Sequence, residues 1–156
     1  MYSNELICNI LDYLDNNFYK KISILEISSK FYYNKFYIMK LFKKEIGITL
    51  IMYINCLRIF NSIKYIQNTN DSFTKIALYN GFYSLEYFSE TFKLIMGVSP
   101  RVFRTYCNNR FRLNSYNLSL ISSNWINLQN LIDKTNKYKK NKKPYGNPVL
   151  KRSIFN

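Results

Sequence analysis

The 156-residue sequence predicts an all-α fold of about seven helices. Two units, each a short helix, a turn and a longer helix, are joined by a long connecting helix and followed by a basic, partly disordered C-terminal tail. Three observations predict this. Apolar residues recur at three- and four-residue spacing through most of 4–106, the period of one helix face. Cap-forming residues and glycines fall where those stretches should start and stop. One segment also repeats itself after fifty residues.

The first helix is expected over Glu5 to Phe18, with Leu6, Ile7, Ile10, Leu11, Leu14 and Phe18 on one face and Asn4 as N-cap. Ile22, Ile24, Ile27 and Phe31 predict a short second helix. It opens on Ser23-x-x-Glu26, the capping-box pattern in which hydroxyl and carboxylate each satisfy a backbone N–H. Asn34 should cap a third helix, with Ile38, Leu41, Phe42 and Ile46 inward and Lys35, Phe36, Met39, Lys40 and Lys43 on the opposite face. Gly47 should end it, since glycine enters the left-handed region at little cost.

The connecting helix runs from Leu50 to about Gln67, with Tyr53, Ile54, Leu57, Ile63 and Ile66 at helical spacing. After a polar break at 68–71, Ser72 caps a short helix holding Phe73, Ile76 and Ala77, which Gly81 breaks. Ser84 starts the next, with Phe88, Phe92 and Ile95 inside and Gly97 at its end. Ser99-Pro100 opens a further helix, proline being suited to the first helical position; Val102, Phe103 and Tyr106 would pack back. One more helix is expected within 107–132, around Trp125. Residues 133–156 are expected to be a disordered basic tail, because 134–143 holds six lysines and Pro144, Gly146 and Pro148 follow.

Composition narrows the function. There is no histidine, which removes the commonest general base and every Ser-His or Cys-His nucleophile pair. No glycine run could cradle a phosphate. The expectation is therefore a protein that is not an enzyme and carries no cofactor or metal. Cys8, Cys56 and Cys107 are odd in number and widely spaced, as reduced thiols of a cytoplasmic protein would be. Nothing resembles a signal peptide, and the longest apolar stretch, Ile46 to Leu57, is too short and too interrupted to span a bilayer. The net charge is +14, but the chain is rich in Asn, Ile, Lys, Tyr and Phe, a bias that an AT-rich genome would produce unaided. Its distribution is more telling: twelve basic residues and one acid, Asp133, lie from Arg101 onward, against eleven basic and eight acidic residues before it.

In the repeat, Phe42-Lys43-x-x-x-Gly47 returns as Phe92-Lys93-x-x-x-Gly97; Thr49 answers Ser99 and Tyr53 answers Phe103. Upstream, Ile27-Ser28 answers Ile76-Ala77, one residue out of phase. A small residue is needed at Ser28 and Ala77, where two helices cross closely, and a glycine four positions on permits the turn. Each copy has the design of a helix-turn-helix, whose second helix can enter the major groove. A stiff connecting helix would hold two such helices about one DNA turn apart, roughly 34 Å.

The sequence resembles the DNA-binding domain of the AraC/XylS family. The match is carried by Ile76-Ala77-x-x-x-Gly81-Phe82-x-Ser84-x-x-Tyr87-Phe88-Ser89-x-x-Phe92-Lys93-x-x-x-Gly97-x-Ser99-Pro100-x-x-x-Arg104. Ile22-Ser23-Ile24, Ile38, Phe42-Lys43, Gly47 and Arg58 extend it more loosely, so that it covers residues 4–106. The resemblance implies helix-turn-helix units near 25–46 and 73–96 and a sequence-specific transcriptional regulator that inserts two recognition helices into successive major-groove turns of double-stranded DNA. It implies contacts from Lys35, Phe36, Met39, Lys40 and Lys43 in the first unit and Ser84, Leu85, Glu86, Ser89, Glu90 and Lys93 in the second. The lysines would hold phosphates, Glu86 could accept from cytosine N4, and Phe36 could touch a thymine methyl. It further implies a bacterial, monomeric, stand-alone member, with only about 20 residues before the first unit, RNA polymerase as a candidate partner, no membrane and no small-molecule effector within the matched region.

Four departures bear on this. Ser28 replaces the usual alanine, Tyr32 stands where the first turn would have glycine, Asn34 replaces a serine cap, and Glu90 occupies a position where the family usually has arginine. Leu85 and Glu90 together make the second recognition helix poorer in DNA-friendly groups than the first. The alternative reading is accordingly an interaction or non-specific DNA-binding protein that kept the fold and lost sequence readout.

Overall fold

A computed structural model describes residues 2–108 and 115–142, with Tyr2 and residues 115–118 described by their backbone only. Among the described residues there are eight helices and no strand: α1 (Tyr2–Asn17), α2 (Ile24–Phe31), α3 (Lys35–Ile46), α4 (Leu50–Asn68), α5 (Phe73–Tyr79), α6 (Leu85–Met96), α7 (Pro100–Asn108) and α8 (Ser115–Lys142).

Helix α4 is the axis of the molecule. Its Leu50, Tyr53, Ile54 and Leu57 are buried with Ile7, Ile10, Leu11 and Leu14 of α1, Ile27 of α2, and Ile38, Leu41 and Phe42 of α3. Its Cys56, Ile59, Ile63 and Ile66 are buried in a second cluster with Ile76 and Ala77 of α5, Phe88, Phe92 and Met96 of α6, and Phe103 of α7. A helix apolar on nearly every side has to be covered on every side. The two units are therefore two half-cores sharing one helix. Fully burying a side chain such as Ile59 or Ile63 contributes about 1.5–3 kcal/mol.

The helix starts follow their caps. Ser23, Asn34, Thr49, Ser72 and Ser84 sit at the N-caps of α2 to α6, and each side-chain oxygen accepts a backbone N–H of the first turn, a bond worth about 1 kcal/mol. Gly47 (φ 96°) and Gly97 (φ 78°) end α3 and α6 in the left-handed region. In the second cluster, Met96 is fully buried where the periodicity pointed to Ile95, which is only partly covered.

The two turns are the same turn. Gly81 has φ 79° and Tyr32 has φ 60°, and Tyr32 is the only non-glycine with positive φ among the described residues. In each, the following N–H reaches back five residues, Phe82 to the Ala77 carbonyl at 3.0 Å and Tyr33 to the Ser28 carbonyl at 3.2 Å. The first turn thus carries a left-handed tyrosine, at roughly 1–2 kcal/mol. The Ser28 hydroxyl adds support by donating to the Tyr33 carbonyl at 2.6 Å. The second turn needs its glycine for space as well, since a Cβ there would lie 2.7 Å from the Tyr19 carbonyl oxygen.

Arg58 joins these parts. It is 8 % exposed in the middle of α4. Its Nε donates to the Phe18 carbonyl at 2.7 Å and a terminal nitrogen donates to the Lys20 carbonyl at 2.9 Å. Its guanidinium faces the Phe82 ring at 5.6 Å. The charge lowers the cost of its own burial by fastening the loop after α1 against the turn of the second unit.

Three expectations are corrected. Asn4 is not a cap: α1 begins at Tyr2, and the Asn4 side chain accepts from the Tyr138 hydroxyl at 3.1 Å. Glu26 does not close the capping box; its carboxylate accepts from the Tyr13 hydroxyl and pushes that phenol up to about 12. The tail expected to be disordered from residue 133 is helical as far as Lys142, because α8 packs along α1, α4 and α6. Residues 143–156 of that expectation lie outside the described residues.

Tyr53 ties three helices together. Its hydroxyl donates to Asp15 of α1 at 3.0 Å and lies 3.3 Å from the Thr135 hydroxyl of α8. Burial first, and then the Asp15 charge, raises its ionisation above the ordinary phenol range. A raised phenol stabilises the fold fully below its unfolded value near 10 and ceases to as pH climbs through the folded value. Unfolding free energy should therefore fall with pH above about 10. Tyr53→Phe should cost about 1–2 kcal/mol at neutral pH, from the lost hydrogen bonds, and make the alkaline decline shallower; urea titrations between pH 7 and 11 measure both.

Candidate nucleic-acid interface

In a helix-turn-helix the second helix of each unit is the one free to face a groove. Here these are α3 and α6, and each hides one face in a core and leaves the other open.

On α3, Ile38, Leu41, Phe42 and Ile46 point inward. The opposite face carries Phe36, 68 % exposed, Met39, 44 % exposed, and the exposed Lys40 and Lys43. Lys35 is half-buried, with its ammonium 5.0 Å from the centre of the Phe36 ring. The structure thus brings all five residues singled out in the first unit onto one surface. Phe36, Met39, Lys40 and Lys43 also line one side of an apolar groove completed by Ile24, Thr49, Leu50 and Ile51. No described part of the C-terminal segment covers Phe36 or Met39. The exposed Lys44 adds a further positive charge to the last turn of α3.

On α6, Phe88, Thr91, Phe92 and Met96 point inward. Glu86, Glu90 and Lys93 are exposed and Ser89 is half-buried. Two residues of the set are partly engaged. Leu85 packs against the second core and reaches the surface only in part. Ser84 is the N-cap, its hydroxyl oxygen accepting from the Tyr87 N–H at 3.1 Å. The α6 face therefore offers two carboxylates and one ammonium where α3 offers ammonium groups and apolar surface.

Two features were missed by the sequence reading. Tyr83, 79 % exposed in the turn before α6, stacks on Tyr87 at 5.1 Å; its position in the repeat is one of the unspecified ones, so only the oddity of a bulky aromatic in a turn could have marked it. Between the units lies a cleft lined by Lys21, Ile51, Asn55, Arg58, Tyr83 and Tyr87. It is braced from within by the bond from the Asn55 amide to the Tyr87 hydroxyl, 2.9 Å. That cross-unit bond has no signature in spacing.

This geometry is that of a double helix-turn-helix, and comparison with known proteins agrees. A family model described as a helix-turn-helix domain matches residues 27–106. AarP of Providencia stuartii, an HTH-type transcriptional activator, is 31 % identical over 103 residues, covering 66 % of this chain and 76 % of AarP. AdaA of Bacillus subtilis (strain 168), a bifunctional transcriptional activator and DNA repair enzyme, is 32 % identical over 104 residues, 67 % of this chain and 49 % of AdaA. The solved DNA-binding domain of AdpA, a global transcriptional factor in complex with a target DNA, superposes with a TM-score of 0.63 over 69 % of this chain and 97 % of that one; at 14 % identity it shows the fold alone. The chain belongs to the AraC/XylS family and is a DNA-binding transcription regulator. It spans about three quarters of the length of AarP and half that of AdaA. No single helix among the described residues is long and apolar enough to cross a membrane.

The charge on α6 has a measurable consequence. A carboxylate facing phosphate repels it, and each phosphate neutralised releases counterions. Glu90→Arg should tighten binding to non-specific duplex roughly three- to tenfold and steepen the salt dependence by about one; fluorescence anisotropy across a salt series reads both, and unchanged or weaker binding would place Glu90 away from DNA.

Proposed function

We propose that residues 4–106 form a sequence-specific DNA-binding domain that inserts α3 and α6 into successive major-groove turns. The observation that carries this reading is the repeated unit itself: two helices, each ended by a left-handed glycine, each burying one face in a half-core and leaving the other uncovered. Lys35, Lys40, Lys43 and Lys93 act on phosphates and set register. Phe36 and Met39 offer apolar contact suited to thymine methyls, and Glu86 an acceptor suited to cytosine N4. Ser84, Leu85, Ser89 and Glu90 complete the second reading face. By likeness to AarP and AdaA, the same proposal takes the response to be activation, with RNA polymerase as a second partner.

The acidic α6 face favours one narrower variant, in which α3 reads bases and α6 mainly positions the protein. Selection of bound sequences from a random duplex library at about 150 mM salt, where surface charge is well screened, separates the two. Two enriched boxes about ten base pairs apart are expected. One box leaves α6 a supporting role. No enrichment, with binding that vanishes as salt rises, would overturn sequence-specific regulation, because only the counterion-release part of affinity behaves that way.

A further inference from the structure

The C-terminal helix α8 lies outside the segment that matches the family. It nevertheless reaches the ends of both reading helices. At the end of α6, a Cβ on Gly97 would lie 2.6 Å from the Asn124 amide nitrogen and 3.1 Å from the Leu120 side chain. At the end of α3, Lys134 Nζ donates to the carbonyl of Ile46 at 3.4 Å and is 3.9 Å from where a Gly47 Cβ would be. Unbroken helix separates Leu120 from Lys134, about 21 Å at the usual rise of about 1.5 Å per residue.

Along the way α8 is anchored to both half-cores. Ile121 and Leu128 are buried in the second, and Trp125 stacks on Phe60 of α4 at 5.5 Å with the rings nearly parallel. Ile132 and Tyr138 pack on the first, and Leu131 touches both. Thr135 meets Tyr53, and Lys139 pairs with Asp15 and, at 3.5 Å, with Asp12 of α1. The units are therefore linked through the interior by α4 and its Arg58 contacts, and along the outside by α8.

We propose that α8 is a brace that sets the distance and tilt between α3 and α6, and so the spacing between the two DNA boxes that the protein accepts. The box-spacing half of this rests on the two-box reading above; the brace itself does not. One base pair of error shifts a box by about 3.4 Å along the axis and turns it by a tenth of a helical turn. A frame held at two points resists that displacement better than one held by a single helix.

Asn130 is exposed and lies between the two contacts. Proline there removes a helical hydrogen bond and kinks the helix, while Asn130→Ala keeps it. Spin labels placed by Lys44→Cys and Leu94→Cys, both exposed on the last turns of α3 and α6, report the separation in the full chain without DNA, with Cys107→Ser in every variant. A narrow distance distribution is expected for the parent and Asn130→Ala, and a broadened or shifted one for Asn130→Pro. On duplexes carrying the selected boxes at the preferred spacing and one base pair either side, the parent should lose about tenfold and Asn130→Pro distinctly less.

If Asn130→Pro does not fold, the triple variant Leu120→Ala, Asn124→Ala and Lys134→Ala removes the side chains that reach both helix ends and leaves the α8 backbone intact; the same readings apply. A folded variant whose label distances match the parent's overturns the brace. Loosened labels with unchanged spacing preference overturn its role in DNA spacing. A parent that selects no boxes overturns the two-box reading, while the label distances still decide the brace.

Discussion

The rest of the structure depends on α4 being covered. Its buried residues fall on almost every side, from Leu50 and Tyr53 through Cys56, Leu57 and Ile59 to Ile63 and Ile66. Neither helix-turn-helix unit could hide that surface alone, so each supplies half a sheath and the two are locked to one axis. The one charge admitted to that helix interior, Arg58, is accommodated by two backbone carbonyls and the face of Phe82. Those partners come from the loop after α1 and the turn of the second unit. The polar group that α4 buries therefore also ties the two halves to each other. A frame of this kind can present two helices to DNA in fixed register.

Within that frame the two units are alike in backbone and unlike in surface. Both turns use a left-handed residue and the same backward hydrogen bond, yet one uses Gly81 and the other Tyr32. Gly81 is packed under the Tyr19 carbonyl and has no room for a side chain. Tyr32, 93 % exposed, has room, so the first turn tolerates a strained tyrosine. The helices that follow differ in the same spirit: ammonium groups and uncovered apolar side chains on α3, carboxylates on α6. Positive charge is therefore concentrated on the open face of the first unit, and under the proposed docking any contribution of the second to specificity has to come from base edges or shape.

Much of this was legible in the sequence because it is local. Ser23, Asn34, Ser72, Ser84, Gly47 and Gly97 act within a turn of themselves, and the buried faces of α3 and α4 follow from spacing. The family motif from Ile76 to Arg104 marked the second unit, the repeat of Phe42-Lys43-x-x-x-Gly47 pointed to the first, and the placement of Lys35, Phe36, Met39, Lys40 and Lys43 on one face follows from helical periodicity. What was not legible depends on partners distant in the chain. Residues 133–142 read as a solvated charge run, but Lys139 is neutralised by Asp12 and Asp15, and Tyr138 bonds Asn4 and Glu45. Asn4 and Glu26 looked like caps and instead accept from tyrosines. In each case a long-range contact decided between two roles that the local pattern left equal.

One rigid frame that places both α3 and α6 in the major groove of the same duplex must occupy two successive stretches of that groove at once. Guanine N7 lies in that groove, so methylation protection by the full chain on a duplex it selects, with guanines distributed through the site, reads groove occupancy directly. Two protected clusters about one helical turn apart on one face of the duplex are predicted. A single protected cluster, with the neighbouring groove fully reactive at saturating protein, would contradict it.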